Sequence, residues 1–229
     1  LLTAAHFGSL EIVDALLDAS ADLEATDRVG RTSRTFAVQQ DNLAVVQALV
    51  DAGADVEALD TIGNSALCWA AGFGKADAVK LLLDLGAGVD VAGLMTGFTP
   101  AIWAAGYGEA ESLQALVDAG ADVNAEDTVQ GATPLIHAVR TGRVDNIAVL
   151  VAAGADIDYA DKNGVTAILH AAGNSGAGVD TVQALIDAGA DYTARSDSGD
   201  SALDIVKNRT DDKAPAVKAL FIELLGETT

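Results

Sequence analysis

Apolar residues recur at spacings of three and four in several segments of about nine residues along the chain. Ala78, Val79 and Leu82 form one such set, and Ile147 and Leu150 belong to another. This spacing places apolar side chains on one face of an α-helix. A glycine follows each segment and is expected to end the helix: Gly53, Gly86, Gly120, Gly154 and Gly189.

A shorter apolar stretch precedes each of these segments, as in "ALCWAA", "AIWAA" and "LIHAV". A hydroxyl residue stands just before it and is expected to cap a first, shorter helix: Thr32, Ser65, Thr99, Thr133, Thr166 and Ser201. Pro100 and Pro134 then occupy the first helical position, where a missing N–H costs nothing. Glycines in the left-handed conformation are expected to end this helix: Gly74, Gly108 and Gly142. Two antiparallel helices are therefore predicted for each segment.

The whole pattern repeats. The glycine of the turn before each helix pair recurs at spacings of 33, 34, 34, 33 and 35 residues: Gly30, Gly63, Gly97, Gly131, Gly164 and Gly199. A helix pair of this size cannot bury its apolar face alone, so stacked neighbours must cover it. The repeat predicts a solenoid, and function is expected where the repeats differ.

The phrases "GATPLIHAV" and "GFTPAIWAAGYGEAESLQALVDAGADVNA" resemble the ankyrin repeat. The resemblance covers nearly the whole chain and implies an all-α fold with short β-hairpin loops. L-shaped repeats of this kind stack into a curved solenoid, whose hairpins and first helices line a concave face. In the family that face usually binds another protein, and no catalytic residues are implied.

A single solenoid of seven repeats is therefore expected over residues 1–229. Approximate bounds are 1–26 (truncated), 27–59, 60–92, 93–126, 127–160, 161–195 and 196–229, the last a C-terminal cap. Because Leu1 falls in the middle of a repeat, we expect the sequence to be a segment of a longer chain.

Three places depart from the pattern. Arg34 stands where an aliphatic core residue is expected and Asp41 where a helix-ending glycine is expected, so the repeat over 27–59 should be locally weaker. Two extra residues in "GNSGAGVD" lengthen one loop between helices. A polar insertion, "KNRTDDKAP", interrupts the final repeat.

The chain is strongly acidic, with 34 acidic against 13 basic residues and a formal net charge of −21. This charge repels nucleic acid and anionic lipid and favours basic protein partners. No apolar run approaches the about 20 residues that a membrane span needs, so we expect no membrane insertion. Cys68 is the only cysteine, which excludes internal disulfides and favours a reducing compartment, the cytoplasm by default.

Little in the sequence suggests catalysis. His137 and His170 occupy equivalent positions in adjacent repeats and could share a metal, but no third ligand repeats beside them. Aspartates recur in nearly every repeat, which indicates turn hydrogen bonding rather than chemistry: Asp22, Asp55, Asp122, Asp156 and Asp191. We therefore expect no enzymatic activity, no metal and no cofactor.

Half of the ten aromatic residues lie within residues 69–107, and large aromatics near arginine are enriched at protein-binding surfaces. The candidate binding residues are Trp69, Phe73, Phe98, Trp103 and Tyr107, with Arg140 in a flanking repeat. The alternative for Trp69 and Trp103 is packing between repeats. Arg28 and Arg31 form a second candidate with Arg34, because they could grip an acidic partner segment or simply pair with Asp27 and Asp60.

The leading hypothesis is a non-catalytic protein-interaction scaffold, acting as a monomeric module of a larger chain or complex. The alternative is a regulatory ankyrin portion of an enzyme, a channel or a ubiquitin-ligase adaptor whose active part lies outside the sequence.

Overall fold

The computed structural model describes residues 1–226, and within them the chain forms fourteen α-helices and no β-strand. The helices are α1 (Leu2–Phe7), α2 (Leu10–Asp18), α3 (Ser33–Gln39), α4 (Leu43–Asp51), α5 (Ala66–Gly72), α6 (Ala76–Asp84), α7 (Pro100–Tyr107), α8 (Ala110–Asp118), α9 (Pro134–Thr141), α10 (Val144–Ala152), α11 (Ala167–Gly173), α12 (Val179–Asp187), α13 (Ala202–Val206) and α14 (Ala214–Leu225). The all-α prediction is confirmed. Each predicted repeat contains two helices, while the assignment of one domain over 1–229 stays a prediction.

The chain forms two compact units, which we call the N-terminal unit (Leu1–Asp122) and the C-terminal unit (from Val123). In the N-terminal unit the first helices of successive repeats, α1, α3, α5 and α7, pack side by side in one layer. The second helices, α2, α4, α6 and α8, form the other layer. Fully buried side chains fill the space between them, among them Leu49, Leu67, Leu82, Ile102, Leu113 and Leu116. Each contributes about 1.5–3 kcal/mol by leaving water, so this layer contact holds the unit together.

The C-terminal unit is built in the same way from α9, α11 and α13 in one layer and α10, α12 and α14 in the other. Its buried side chains include Leu135, Ile136, Ile147, Leu150 and Phe221. The two extra residues predicted in one loop are present, because five residues (174–178) separate α11 from α12, whereas three (73–75) separate α5 from α6.

The predicted helix starts are only partly confirmed. Ser65, Thr99 and Ser201 each accept a hydrogen bond from a backbone N–H in the first turn of the following helix. The hydroxyls at the equivalent positions make no capping bond: Thr32, Thr133 and Thr166. Pro100 and Pro134 begin α7 and α9, as predicted.

The prediction of left-handed glycines after the first helices is right for Gly74 and Gly142 and wrong for Gly108. Gly74 and Gly142 have φ of 70° and 69°, whereas Gly108 has φ of −82° and ψ of −177°. Gly108 is required for a different reason. A Cβ at this position would overlap the carbonyl oxygen of Ala71, so the glycine permits a close approach between two repeats.

The repeat over residues 27–59 carries the two irregularities that the sequence predicts. Arg34 is completely buried in the position that Leu67 and Leu135 occupy in other repeats. Its Nη1 lies 3.4 Å from Glu24 Oε1, while its Nε and Nη2 have no hydrogen-bond partner. Asp41 adopts φ of 57°, a left-handed conformation that disfavours side chains.

Polar side chains, most of them acidic, accept hydrogen bonds that join neighbouring repeats. The aspartates that the sequence predicts to be turn residues accept a hydrogen bond from the backbone N–H two residues later. Asp55 accepts from Glu57 and Asp191 from Thr193. A second set of side chains accepts a backbone N–H from the following repeat about 32 residues later: Glu24, Glu57, Asp90, Asn124 and Asp158. Several of the acidic side chains therefore have a structural role.

The polar insertion before α14 makes contacts with the lengthened loop. Arg209 donates to the carbonyl oxygens of Ala171 and Ala177 and pairs with Asp211 at 2.8 Å. Lys213 Nζ donates to the carbonyl oxygen of Gly176. These bonds tie the insertion to the end of α11 and to the lengthened loop that follows it.

Candidate functional site

Five of the predicted binding residues come together in two neighbouring repeats, on and next to the first helices α5 and α7. Trp69 on α5 and Trp103 on α7 stack with their ring centroids 5.9 Å apart. Phe73 stacks on Trp69 at 5.3 Å, Tyr107 lies 5.3 Å from Trp103, and Phe98 meets Trp103 edge-on at 5.6 Å. We refer to these five side chains as the aromatic cluster.

The sequence places the two tryptophans side by side because they are 34 residues apart, one repeat, and the helices that carry them are neighbours. Small residues make room for the rings. A Cβ on Gly72 would lie 3.2 Å from Trp103 Cε3, so a side chain at that position would push against the indole. Glycine at position 72 thus permits the stack.

The side chains of the aromatic cluster differ in how much of their surface is exposed to solvent. Phe73 and Tyr107 are 40% and 51% exposed, whereas Trp69, Phe98 and Trp103 are half-buried. The tryptophans thus form the base of the cluster, and the two rings at the helix ends face outward.

One tryptophan is anchored and the other is not. Trp69 Nε1 donates to Asp60 Oδ2 at 2.9 Å, and Asp60 Oδ1 accepts from the backbone N–H groups of Ile62 and Asn64 in the hairpin. Gly93 stands at the position of Asp60 in the next repeat. As a result, Trp103 Nε1 is buried without a hydrogen-bond partner.

Apolar side chains at the hairpin tips also lie exposed, and they are not among the binding residues predicted from the sequence. Ile62, Leu94 and Met95 are 45%, 77% and 66% exposed, in the hairpins that lead into α5 and α7. The sequence distinguishes them only from a later hairpin, which has Lys162 and Asn163 at the equivalent positions, because Val29 and Val129 in two other hairpins are exposed as well. The aromatic cluster and these tips together define the candidate surface.

The arginines predicted near residue 30 lie in the hairpin before α3. Arg31 pairs with the Asp27 carboxylate through two hydrogen bonds of 2.9 and 2.7 Å, and its guanidinium lies 4.7 Å from the centre of the Phe36 ring. Burial opposes ionisation of Asp27, but the bonds from Arg31 outweigh it and lower its pKa. Arg28 is exposed. Arg31 therefore pairs with Asp27 in its own hairpin, which agrees with the interpretation that these arginines pair with nearby aspartates.

Arg140 lies in the C-terminal unit, where it joins a polar cluster with two histidines. The Nε2 atoms of His137 and His170 lie 2.9 Å from Oδ2 of Asp127 and Asp161, respectively, and Arg140 Nη2 is 3.6 Å from Asp161. Burial lowers the pKa of both histidines, so we assign neutral rings that donate to ionised carboxylates. The histidines therefore repeat the role of Trp69, tying a first helix to its hairpin.

Within residues 1–226, no group of three or more histidine, cysteine, aspartate or glutamate side chains is arranged to hold a metal ion. The same residues include no helix with the length and apolarity to cross a bilayer. Cys68 is buried, and burial raises the pKa of its thiol.

The chain is similar to known proteins in sequence pattern and in structure. A family model described as ankyrin repeats (3 copies) matches residues 1–60, 35–127 and 102–196. The ankyrin repeat domain of human ASB11 is 25% identical with a TM-score of 0.80, over 100% of this chain and 97% of that one. The ankyrin repeat domain of Bcl-3, a member of the IkappaB protein family, is 25% identical with a TM-score of 0.74, over 94% and 96%. No curated protein matches the sequence.

Proposed function

The chain belongs to the ankyrin repeat family, and we propose that it binds a partner protein through the hairpins and first helices of its N-terminal unit. Ankyrin repeat domains are protein–protein interaction modules, and the fold is non-catalytic. The proposal assigns that general role to one surface of this chain.

The aromatic cluster carries the proposal. Exposed large apolar side chains that lie close together mark interaction sites, whereas scattered ones need no explanation. Phe73 and Tyr107 extend from a base of stacked tryptophans, so little side-chain entropy is lost when a partner covers them. Aromatic residues of this kind supply most of the binding energy at protein interfaces.

The charge of the chain supports a basic partner. At a formal charge of −21, two copies repel each other, which supports a monomeric module. A basic partner is attracted by the same field and associates faster at low ionic strength.

The test uses the Phe73→Ala/Tyr107→Ala double variant of the full chain. We expect partner affinity to fall by about 2 kcal/mol or more, about thirtyfold, because the exposed rings are lost. Folding should change less than partner binding, since about half of each side chain is already in contact with water in the free protein. Affinity capture measures the first effect, and the urea midpoint measures the second.

The matched control is Ile12→Ala, which removes another exposed apolar side chain, 55% exposed, from the second helix of a different repeat. Capture should survive this change. A photo-reactive phenylalanine at position 107 should cross-link the partner, whereas one at position 12 should not. Unchanged capture by a folded double variant would move the site elsewhere, with the hairpin of Arg28 and Arg31 as the next candidate.

A further inference from the structure

We infer that the aromatic cluster receives an arginine side chain of the partner, whose guanidinium stacks on one of the two exposed rings, Tyr107 or Phe73. This inference rests on the proposed function, because it specifies the chemistry of the partner segment that covers the same surface.

The geometry of the rings favours a planar group. Phe73, Trp69 and Trp103 form a continuous stack, with interplanar angles of 22° and 29° between neighbours, and Tyr107 is tilted by 42° from Trp103. Both terminal rings are exposed. A flat cation can extend such a stack with its face against a ring, within about 6 Å of the ring centroid.

The same kind of contact is already present within the chain. The Arg31 guanidinium lies 4.7 Å from the centroid of Phe36, which occupies the position of Trp69 and Trp103 one repeat earlier. An arginine thus packs against an aromatic ring of this row within the chain, four residues before the positions that Phe73 and Tyr107 occupy. No lysine or arginine follows Lys80 in the N-terminal unit, so the chain itself supplies no such cation from Leu81 to Asp122.

The local charge favours a cation at the aromatic cluster. The N-terminal unit carries 18 acidic and 5 basic residues, a formal charge of −13. Six of those acids fall between Leu81 and Asp122, and Glu109 and Glu111 closely follow Tyr107. Lys75 lies near Phe73 in sequence, so we expect the Tyr107 ring to be the stronger position.

Arginine fits better than the other candidates. Lysine carries a compact, strongly hydrated charge, whereas guanidinium is flat, weakly hydrated and able to stack. A nucleic-acid base could stack equally well, but its phosphate would meet the acidic field. An apolar segment would cover the rings without using the charge.

The experiment needs no identified partner, because Trp69 and Trp103 are the only two tryptophans in the chain. Their fluorescence therefore reports on the aromatic cluster directly. The probes are a Gly/Ser peptide with spaced arginines, its lysine analogue and its citrulline analogue, which keeps the planar shape and removes the charge. We expect a saturable change with arginine, weaker binding of lysine and little binding of citrulline.

Variants separate stacking from charge. Phe73→Leu/Tyr107→Leu keeps apolar bulk but removes the ring faces, and calorimetry should show arginine-peptide affinity about tenfold lower. Tyr107→Phe should keep the wild-type affinity because it keeps the ring. Tyr192→Leu, an aromatic change beside Asp191 in the C-terminal unit, should have no effect.

Three results would overturn the inference: no saturable response to the arginine peptide, equal binding of the citrulline peptide, or undiminished binding to the double leucine variant. The last would mean attraction by net charge alone. A different experiment tests the proposed function, because that proposal requires a partner protein that cross-links to position 107. Its failure can therefore be distinguished from the failure of this inference. A cross-linked partner segment without arginine would retain the proposed function and refute this inference.

Discussion

At the residue scale, single aspartates account for much of the local order. In four repeats an aspartate at the start of the hairpin binds two backbone N–H groups through Oδ1 and a side-chain N–H from its own repeat through Oδ2: Asp27, Asp60, Asp127 and Asp161. The donor is an arginine, a tryptophan or a histidine. The acceptor stays the same while the donor changes, from Arg31 in the hairpin itself to Trp69, His137 and His170 on first helices, so the hairpin tolerates different donors.

Arg34 is the residue with the clearest energetic cost. Its guanidinium is fully buried with one weak ionic contact, and two of its nitrogens have no partner. Replacing a poorly compensated buried charge by an apolar side chain of similar volume is often stabilising, by about 1–4 kcal/mol.

We therefore expect Arg34→Leu to raise the free energy of unfolding by about 1–2 kcal/mol, because leucine fits this position in other repeats. The urea midpoint and slope measure the change. Arg34→Ala serves as the comparison, since it also removes the charge but leaves a cavity, and should be less stable than the leucine variant. A leucine variant less stable than wild type would show that the contact with Glu24 is worth more than its geometry indicates.

At the scale of elements, a side-chain hydrogen bond ties the hairpin to the first helix of its own repeat in three repeats, through Trp69, His137 and His170. In the C-terminal unit the ties are His137 with Asp127 and His170 with Asp161, both at 2.9 Å. Burial lowers the pKa of each histidine in the folded chain, below the about 6.5 of an unfolded chain. Hydrogen bonds hold the pKa of each aspartate below its ordinary value despite burial.

These shifts predict a loss of stability in weak acid. Below pH about 6.5 the unfolded chain binds protons at His137 and His170 that the folded chain does not, so stability falls as the pH decreases. We expect the urea midpoint to decrease as the pH is lowered from 7.5 to 5.5. The carboxylates add their own loss only near and below pH about 4, in a separate window.

His137→Gln/His170→Gln is the matched variant, because an amide can still donate to the carboxylate but does not titrate. Its urea midpoint should depend less on pH over the same range. If the urea midpoint of this variant fell with decreasing pH as steeply as that of the wild type, the acid sensitivity would come from other groups.

At the scale of the whole molecule, stability should vary along the chain. A repeat protein's stability is approximately a sum over repeats and their interfaces, so a weak repeat opens locally. The repeat over 27–59 contains buried Arg34 and left-handed Asp41, and Ser20 in the preceding repeat is left-handed as well, with φ of 61°.

We expect faster amide hydrogen exchange over residues 1–59 than over 94–160. Hydrogen exchange with mass spectrometry measures this, and Arg34→Leu/Asp41→Gly should slow exchange in the first region selectively. Equal protection of both regions in the wild-type chain would contradict the expectation.

The sequence by itself determined the repeat, the helix pairs and the weak position of Arg34 and Asp41. These follow from local periodicity and from glycine, proline and hydroxyl residues, whose conformational preferences act over a few residues. It also grouped the aromatics correctly, because equal positions in adjacent repeats must be neighbours once repeats stack.

Only the tertiary structure decided how side chains pair across that stack. The same glycine pattern gives a left-handed end at Gly74 and an extended one at Gly108, because the backbone of the neighbouring repeat approaches closely there. Asp60 anchors Trp69, while Trp103 has no equivalent acceptor. Such pairings depend on distances of about 3 Å between residues distant in sequence, which a repeat period does not specify.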